Sequence, residues 1–517
     1  MDFFSNKNSA AKKPVIRKEV VQVPAKKLVS NSASASPSPL PAARRAGPPK
    51  DRFQLSGTNG LKSRPTAPSK PLKSTAQRAL APSRGVKRKS ATPQPQGPMF
   101  SDDEGDDSSD IAASDSDASR KRMKSSVSSI EDIGPRRTLA SETVSRDGSP
   151  LSFIHASELT SGDQASKFVN PWDGQQTIVV RLKYPSRSNS ERFELKWPKG
   201  ETDDYKPMED LKETVQQICT HYLSDEDMKR MCDDENKDSF ERRFNRAWQR
   251  QSVEEYVETV KKFNRMLKPL IDEGKVHREL SRQSSMDLEW VKRILDQTYA
   301  RTVSPRVELL RAYKNGSDNV YGELLPRFVS EVFRETRLNH EQIFVDLGSG
   351  VGNVVLQAAL EVGCESWGIE MMPNPCDLAE LQAKEFPARA KLWGLNVGAV
   401  HLLRGDFTEN REIGSVLQKA DVVLVNNQAF TPELNDRLMS MFLDLKEGCQ
   451  VVSLRPFVPE GHKIAIRNVD SACNMFVQRR REYFSNSVSW TDRGGFYYYA
   501  TKDSGPLRAF KRKHGLR

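Results

Sequence analysis

Gln342 to Met371 reads QIFVDLGSGVGNVVLQAALEVGCESWGIEM. The stretch predicts a strand, a glycine turn, a helix and a second strand. Ile343, Phe344 and Val345 form a short apolar run of β-branched and aromatic residues, as a buried parallel strand requires. Asp346 closes that run, and Gly348, Gly350 and Gly352 follow. From Val351 to Val362 apolar residues recur at helical spacing, and Gly363 stands where a helix C-cap falls. The second strand, 366–369, delivers Glu370 just past its end. A ligand passing close over backbone needs residues without a Cβ beneath it, and a carboxylate at the next strand end can take both hydroxyls of a ribose.

Two cofactors fit this arrangement. The dinucleotide fingerprint spaces its glycines G-x-G-x-x-G and turns a helix N-terminus toward a pyrophosphate. Here the spacing is G-x-G-x-G, and Asp346 lies two residues before the first glycine. S-adenosylmethionine carries no phosphate but has an amino group and a sulfonium, so an acid in that turn suits it better.

The α/β alternation continues beyond Glu370. Residues 378–392 read as a helix, and 400–403 as a strand followed by Gly405-Asp406-Phe407. Residues 421–425 read as a strand followed by Asn426-Asn427-Gln428-Ala429-Phe430, and Thr431-Pro432 opens a helix. Val451-Val452-Ser453 is another strand, and 477–484 with 496–501 form an antiparallel pair. Asp346, Glu370, Asp406 and the Asn426-Asn427 pair therefore stand at the carboxyl ends of four successive strands, the edge where open α/β sheets bind ligands.

The 517 residues have room for two or three domains and carry a net charge of +11. Residues 1–154 hold 27 Lys and Arg against 15 Asp and Glu, which leaves the rest near neutrality. Residues 1–155, rich in Ser, Pro, Ala and Lys and without apolar periodicity, are expected to be a disordered basic tail. Its first hundred residues hold 20 basic and 3 acidic side chains, a spacing suited to DNA phosphates. Residues 101–117 reverse sign with eight acids. Val86-Lys-Arg-Lys89 and Arg120-Lys-Arg-Met-Lys124 look like nuclear import signals. The last sixteen residues add +5, so 504–517 read as a basic C-terminal tail. The start lacks the apolar core of a signal peptide, and no apolar run approaches the roughly 18 residues of a membrane span. Six cysteines without C-x-x-C spacing and seven scattered histidines argue against a zinc site or a disulfide framework, and predict no metal.

Residues 156–335 read as a mainly helical lobe. Thr177–Tyr184 and Arg192–Trp197 alternate as a small hairpin. Leu211, Val215, Ile218, Cys219 and Tyr222 form one helical stripe, and the aromatic residues from Phe240 to Phe263 belong to others. The acidic stretch from Asp225 to Glu241 is read as a solvated helix face. The loop 312–323, ending Val320-Tyr-Gly-Glu323, is expected to wrap over the cofactor held by 336–503.

Val345-Asp-Leu-Gly-Ser-Gly-Val-Gly352, Val320-Tyr-Gly-Glu323, Gly405-Asp-Phe407, Val425-Asn-Asn427 with Phe430, and Ser487-Val-Ser-Trp-Thr491 together resemble the disruptor-of-telomeric-silencing histone methyltransferases, in their fungal form. The resemblance runs from about residue 170 to 503. It implies a Rossmann-like, seven-stranded S-adenosylmethionine-dependent domain acting on a globular-core lysine of histone H3 in nucleosomes, in the nucleus. Roles in chromatin regulation, telomeric silencing and the DNA damage response are implied with it. Carried across, Asp346 and Gly348 would hold the methionine end of the cofactor with Gly350, Gly352 and Asn353 beside them. Glu370 would take the ribose, and Asp406 the adenine amine with Phe407 stacked on it. Tyr321 and Glu323 would close the pocket, and Asn426, Phe430, Trp490 and Tyr497 would line the lysine channel. Gln428 stands where the family more often has an aromatic residue.

Methyl transfer requires a neutral amine. Free lysine titrates near 10.4, so about one molecule in 10³ is neutral at pH 7, equivalent to roughly 4.6 kcal/mol. A dry aromatic channel beside a sulfonium lowers that cost without a dedicated base. A nucleic-acid amine methyltransferase is the alternative. Such enzymes place Asn or Asp, two prolines and an aromatic residue after the fourth strand, and Asn426 to Phe430 has the ends without the prolines. A chromatin scaffold with a dead pocket is a third reading, against which the intact Asp346, Glu370 and Asp406 argue.

Overall fold

The computed structural model describes residues 136–516, apart from 149, 173–175, 200–204, 233–237 and 312–320. The basic and acidic tracts, both import-signal clusters and most of the covering loop lie outside the described residues. Among the described residues no helix is long and apolar enough to cross a membrane, and no group of His, Cys, Asp and Glu has the arrangement of a metal site.

The hairpin expected from alternation pairs β1 (Val179–Lys183) with β2 (Ser190–Glu194) in antiparallel register, Val180 opposite Phe193. Val180, Leu182 and Phe193 point into the core, as period-two patterning dictates. Helices Pro207–Tyr222, Phe240–Gln249, Val253–Asp272 and Leu288–Thr302 follow, each burying its apolar stripe. Their common core continues into Leu356, Phe386, Leu392 and Trp393, so the helical lobe and the sheet domain share apolar packing.

The sheet domain contains β3 (Ile343–Leu347), β4 (Glu365–Glu370), β5 (Val400–Arg404), β6 (Val422–Val425), β7 (Gln450–Ser453), β8 (Phe476–Tyr483) and β9 (Gly495–Lys502). They form one seven-stranded sheet in the order β8-β9-β7-β6-β3-β4-β5. Strands β5, β4, β3, β6 and β7 are parallel, and β9 runs antiparallel to both β7 and β8. The chain leaves β3 toward β4 and β5, then returns to lay β6 and β7 on the other side. A crevice opens outside the strand ends where the winding reverses, between β3 and β6. The fold is therefore the Rossmann-like, seven-stranded α/β sheet expected.

Two expectations need correction. Disorder was expected to run to residue 155, yet 136–155 packs against the sheet domain. Leu139 and Val144 are fully buried. Ser141 N–H donates to Gly394 O at 2.9 Å and Asn396 N–H to Leu139 O at 2.7 Å. The Arg137 guanidinium donates to the carbonyls of Leu360 and Glu361 (2.6 and 2.7 Å), the last turn before Gly363, where helix carbonyls lack partners. Two isolated apolar residues have no period to detect, so their sockets, formed by distant residues, were invisible. The second correction concerns cysteine: Cys219 and Cys232 form a disulfide. They lie in the last turns of successive helices, Pro207–Tyr222 and Asp225–Cys232, and the turn between these brings their Cα atoms to 6.2 Å.

Candidate active site

A cavity of about 630 Å³ opens at the reversal point. It is bordered by the glycine turn after β3, the ends of β4, β5 and β6, and the strap Tyr321-Gly-Glu323.

The turn folds back on β4: Gly348 and Ser349 N–H both donate to Ile369 O at 3.0 Å. Gly348 and Gly350 have φ of +86° and +56°, conformations that side chains resist. A Cβ on Gly350 would also lie 2.9 Å from the Tyr321 ring, so its absence lets the strap close.

Glu370 stitches the floor together. Its Oε2 accepts from Gly350 N–H at 3.0 Å, and Oε1 from Met371 and Met372 N–H at 2.8 and 2.7 Å. The carboxylate is thus fixed at the cavity edge with lone pairs left for hydroxyls. Asp406 accepts on Oδ1 from the Thr408 amide and hydroxyl, both at 2.8 Å. The rings of Phe407 and Phe430 stand 6.3 Å apart at 31° beside it, an apolar wall suited to a flat heterocycle.

Asp346 differs from both. It is buried, and among the described residues no donor reaches its carboxylate. Burial, with the neighbouring charge of Glu370, pushes its pKa up to about 7. A buried carboxyl without a donor is costly, and a cation in the cavity is the partner that relieves it.

The strap is held from two sides. Glu323 N–H donates to Ser489 Oγ and Ser489 N–H to Glu323 O, both at 2.9 Å, while Leu325 N–H donates to Ser487 O at 2.9 Å. On the other side, Glu323 Oε1 accepts from Tyr321 OH at 2.5 Å, Asn353 Nδ2 at 3.2 Å and Tyr299 OH at 3.5 Å. Burial pushes the Glu323 pKa up, and these three donors oppose the shift.

Of the four residues expected along a lysine channel, Asn426 and Phe430 border the cavity and Trp490 and Tyr497 do not. Asn426 Nδ2 donates to Gly322 O at 3.1 Å, and its buried Oδ1 has no partner among the described residues. Trp490 packs on the strap from behind: a Cβ on Gly322 would meet its ring at 2.7 Å. Tyr497 lies beneath helix Pro326–Thr336, edge-on to Phe328, and its hydroxyl meets Glu331 at 3.3 Å and Tyr499 OH at 2.9 Å. Gln428 is exposed and outside the cavity lining. The other candidates, Tyr321, Glu323, Asp346, Gly348, Gly350, Asn353, Glu370, Asp406 and Phe407, all border the cavity, whereas Gly352 does not. Gly352 instead precedes helix Asn353–Gln357 at φ +91°. Sequence reasoning missed the wall formed by Leu309, Leu310 and Met371 to Asn374, and also Ser489 and Gln382 behind it. The one sequence signal for Ser489 is its place in the Ser487-Val-Ser-Trp-Thr491 motif.

Residues 299–502 match the family model for "Histone methylation protein DOT1". A "Histone-lysine N-methyltransferase, H3 lysine-79 specific" of Emericella nidulans is 50% identical over 394 residues, 75% of this chain and 77% of its own. The protein of the same name from Aspergillus fumigatus is 44% identical over 512 residues, covering 97% and 96%. An RNA methyltransferase of Salinibacter ruber solved with S-adenosyl-L-homocysteine covers 34% of this chain and 91% of its own at 22% identity and a TM-score of 0.23, too distant to bear on the site. On its match to two curated relatives across most of their length, the chain belongs to the DOT1 family of histone methylation proteins.

Proposed function

We propose that this chain transfers methyl groups from S-adenosylmethionine to a lysine on the core face of nucleosomal histone H3, the position its relatives' names give as lysine 79. The observation that carries this reading is the cavity itself, where buried Asp346 shares the lining with the Glu370 carboxylate at the next strand end and the Asp406-Phe407 wall beyond it. S-adenosylmethionine, when bound, supplies a methyl group activated by positive sulfur. Asp346 and Glu323 would hold its ammonium, Glu370 its ribose, and Asp406 with Phe407 its adenine. Asn426, with an unpartnered acceptor at the cavity wall, would orient the lysine amine rather than deprotonate it. Neither Asn426 nor Phe430 can take a proton, so the reading assigns the catalytic load to positioning and desolvation.

The Asp346 carboxyl must be ionised to hold a cation, so a proton leaves as the cofactor enters. Its ligand-free pKa of about 7 means that acid opposes binding. Affinity is expected to weaken by up to about tenfold per pH unit below about 7 and to level off above about 8. Calorimetric titration across that range checks this, and Asp346→Asn is expected to remove the pH dependence together with most of the affinity.

The protein would act in the nucleus, with residues 1–100 against DNA phosphates. Labelled cofactor incubated with nucleosomes, free histones and naked DNA in parallel tests the assignment. Label is expected on nucleosomal histone and none on DNA; label on DNA would favour the nucleic-acid alternative. Removing residues 1–100 is expected to weaken activity on nucleosomes and flatten its salt dependence, since each phosphate contact contributes a slope of about −0.9.

A further inference from the structure

Gln382 lies on helix Pro373–Leu392, is 1% exposed and does not border the cavity. Its Nε2 donates to Val351 O at 2.8 Å and to Asn353 Oδ1 at 2.9 Å. Asn353 Nδ2 in turn donates to Glu323 Oε1 at 3.2 Å, the oxygen that also takes the Tyr321 hydroxyl.

The polarity of this chain of bonds has one origin. A backbone carbonyl only accepts, so Val351 forces the NH₂ end of Gln382 toward itself. That NH₂ then requires the oxygen of Asn353, which leaves the Asn353 NH₂ facing the strap carboxylate. Reversing any one amide would set two acceptors against each other in a buried setting, where an unmade bond costs more than a made one contributes.

We propose that Gln382 is a positioning residue for methyl transfer: it sets the orientation of the Asn353 amide and thereby holds Glu323 and the strap against the cofactor. The inference rests on the function proposed above. Gln382 does not border the cavity, and among the described residues its route to the strap runs through Asn353. It belongs to the binding step, so its loss shows in cofactor affinity rather than in turnover once the site is full. Helix Pro373–Leu392 is thus coupled to a strap some sixty residues away in sequence through two side-chain amides.

Gln382→Glu is nearly isosteric but presents only acceptors, so it drives Asn353 to flip its oxygen toward Glu323. Gln382→Met fills the space and sets no orientation. Purified full-length protein titrated calorimetrically with S-adenosylmethionine, with steady-state kinetics on nucleosomes alongside, separates the outcomes. Gln382→Glu is expected to raise both Kd and KM for the cofactor about tenfold and to change kcat less than about twofold; Gln382→Met is expected to raise them about threefold. In a Glu323→Gln background, whose amide can donate to a flipped Asn353, Gln382→Glu is expected to add less than about twofold. Wild-type affinity in Gln382→Glu, or effects that simply multiply in the double variant, would overturn the proposal. If Gln382→Glu does not fold, the same cycle run with Gln382→Met decides it by the same criterion. Wild-type protein that takes up no cofactor overturns the function itself; normal wild-type uptake with an unaffected Gln382 variant overturns the positioning role alone.

Discussion

Arginine in place of Gly348 is expected to eliminate S-adenosylmethionine binding and methyl transfer while the protein remains folded. Gly348 borders the cavity at φ +86°, and a Cβ there would lie 3.9 Å from the Phe430 ring, so a long side chain has only the cavity to enter. The left-handed backbone costs an L-residue about 1–2 kcal/mol, which a protein of this size tolerates. The guanidinium would settle beside Asp346 and take the place of the cofactor's own cation. Losing two or three charge-assisted contacts corresponds to about 4 kcal/mol or more, about a thousandfold in kcat/KM. Calorimetry and nucleosome methylation measure the loss, and circular dichroism checks the fold. Turnover within about tenfold of wild type would mean that the cofactor does not lie over this turn.

The second large effect lies away from the cavity. Glu191, on β2 of the hairpin, is fully buried between two arginines. Arg301 reaches Oε1 through Nε and Nη2 at 3.0 and 2.8 Å, and Arg389 reaches Oε2 at 2.7 Å. Tyr184 OH donates to Oε2 and Ala156 N–H to Oε1, at 2.7 and 3.0 Å. Arg301 also pairs with Asp210, which Arg293 shares, and Arg389 with Glu385, so three acids and three arginines form a largely buried network. Burial alone would push the Glu191 pKa up; Arg301 and then Arg389 more than reverse this, and the carboxyl sits below its ordinary range. The network ties the hairpin and helix Leu288–Thr302 to helix Pro373–Leu392, the elements that also carry Tyr299 and Gln382. Glu191→Ala leaves two buried guanidinium groups short of a counter-charge, and is expected to destabilise the protein by about 3–5 kcal/mol in urea denaturation. A change under about 1 kcal/mol would show that packing alone joins the lobes.

Much of the candidate site is legible in the sequence because its signals are local. A glycine turn after an apolar strand, an acid at the next strand end and a Gly-Asp-Phe after the third each follow from one short stretch. The sheet then brings them together through the reversal between β3 and β6. Residues whose role depends on distant partners were not legible. Trp490 stands in a recognisable motif, yet whether it lines a channel or backs the Gly322 strap depends on the pairing of 487–489 with 323–325. Tyr497 is one of three consecutive tyrosines on a strand, and only the position of Phe328 shows which way it faces. Gln382 looked like any polar residue of an amphipathic helix. Arg137, Leu139 and Val144 lie in a stretch with the composition of a tail, and only residues more than two hundred positions away give them a place: the Leu360 and Glu361 carbonyls for Arg137, and 394–396 for the other two.

This cavity is expected to deliver a methyl group to nucleosomal histone H3. Mass spectrometry of histones recovered from nucleosomes after incubation with the protein and S-adenosylmethionine tests it most directly. Methyl groups on one core-face lysine of H3, absent with the Gly348→Arg variant, are the expected result. Unmodified H3 alongside a methylated DNA or RNA would contradict it.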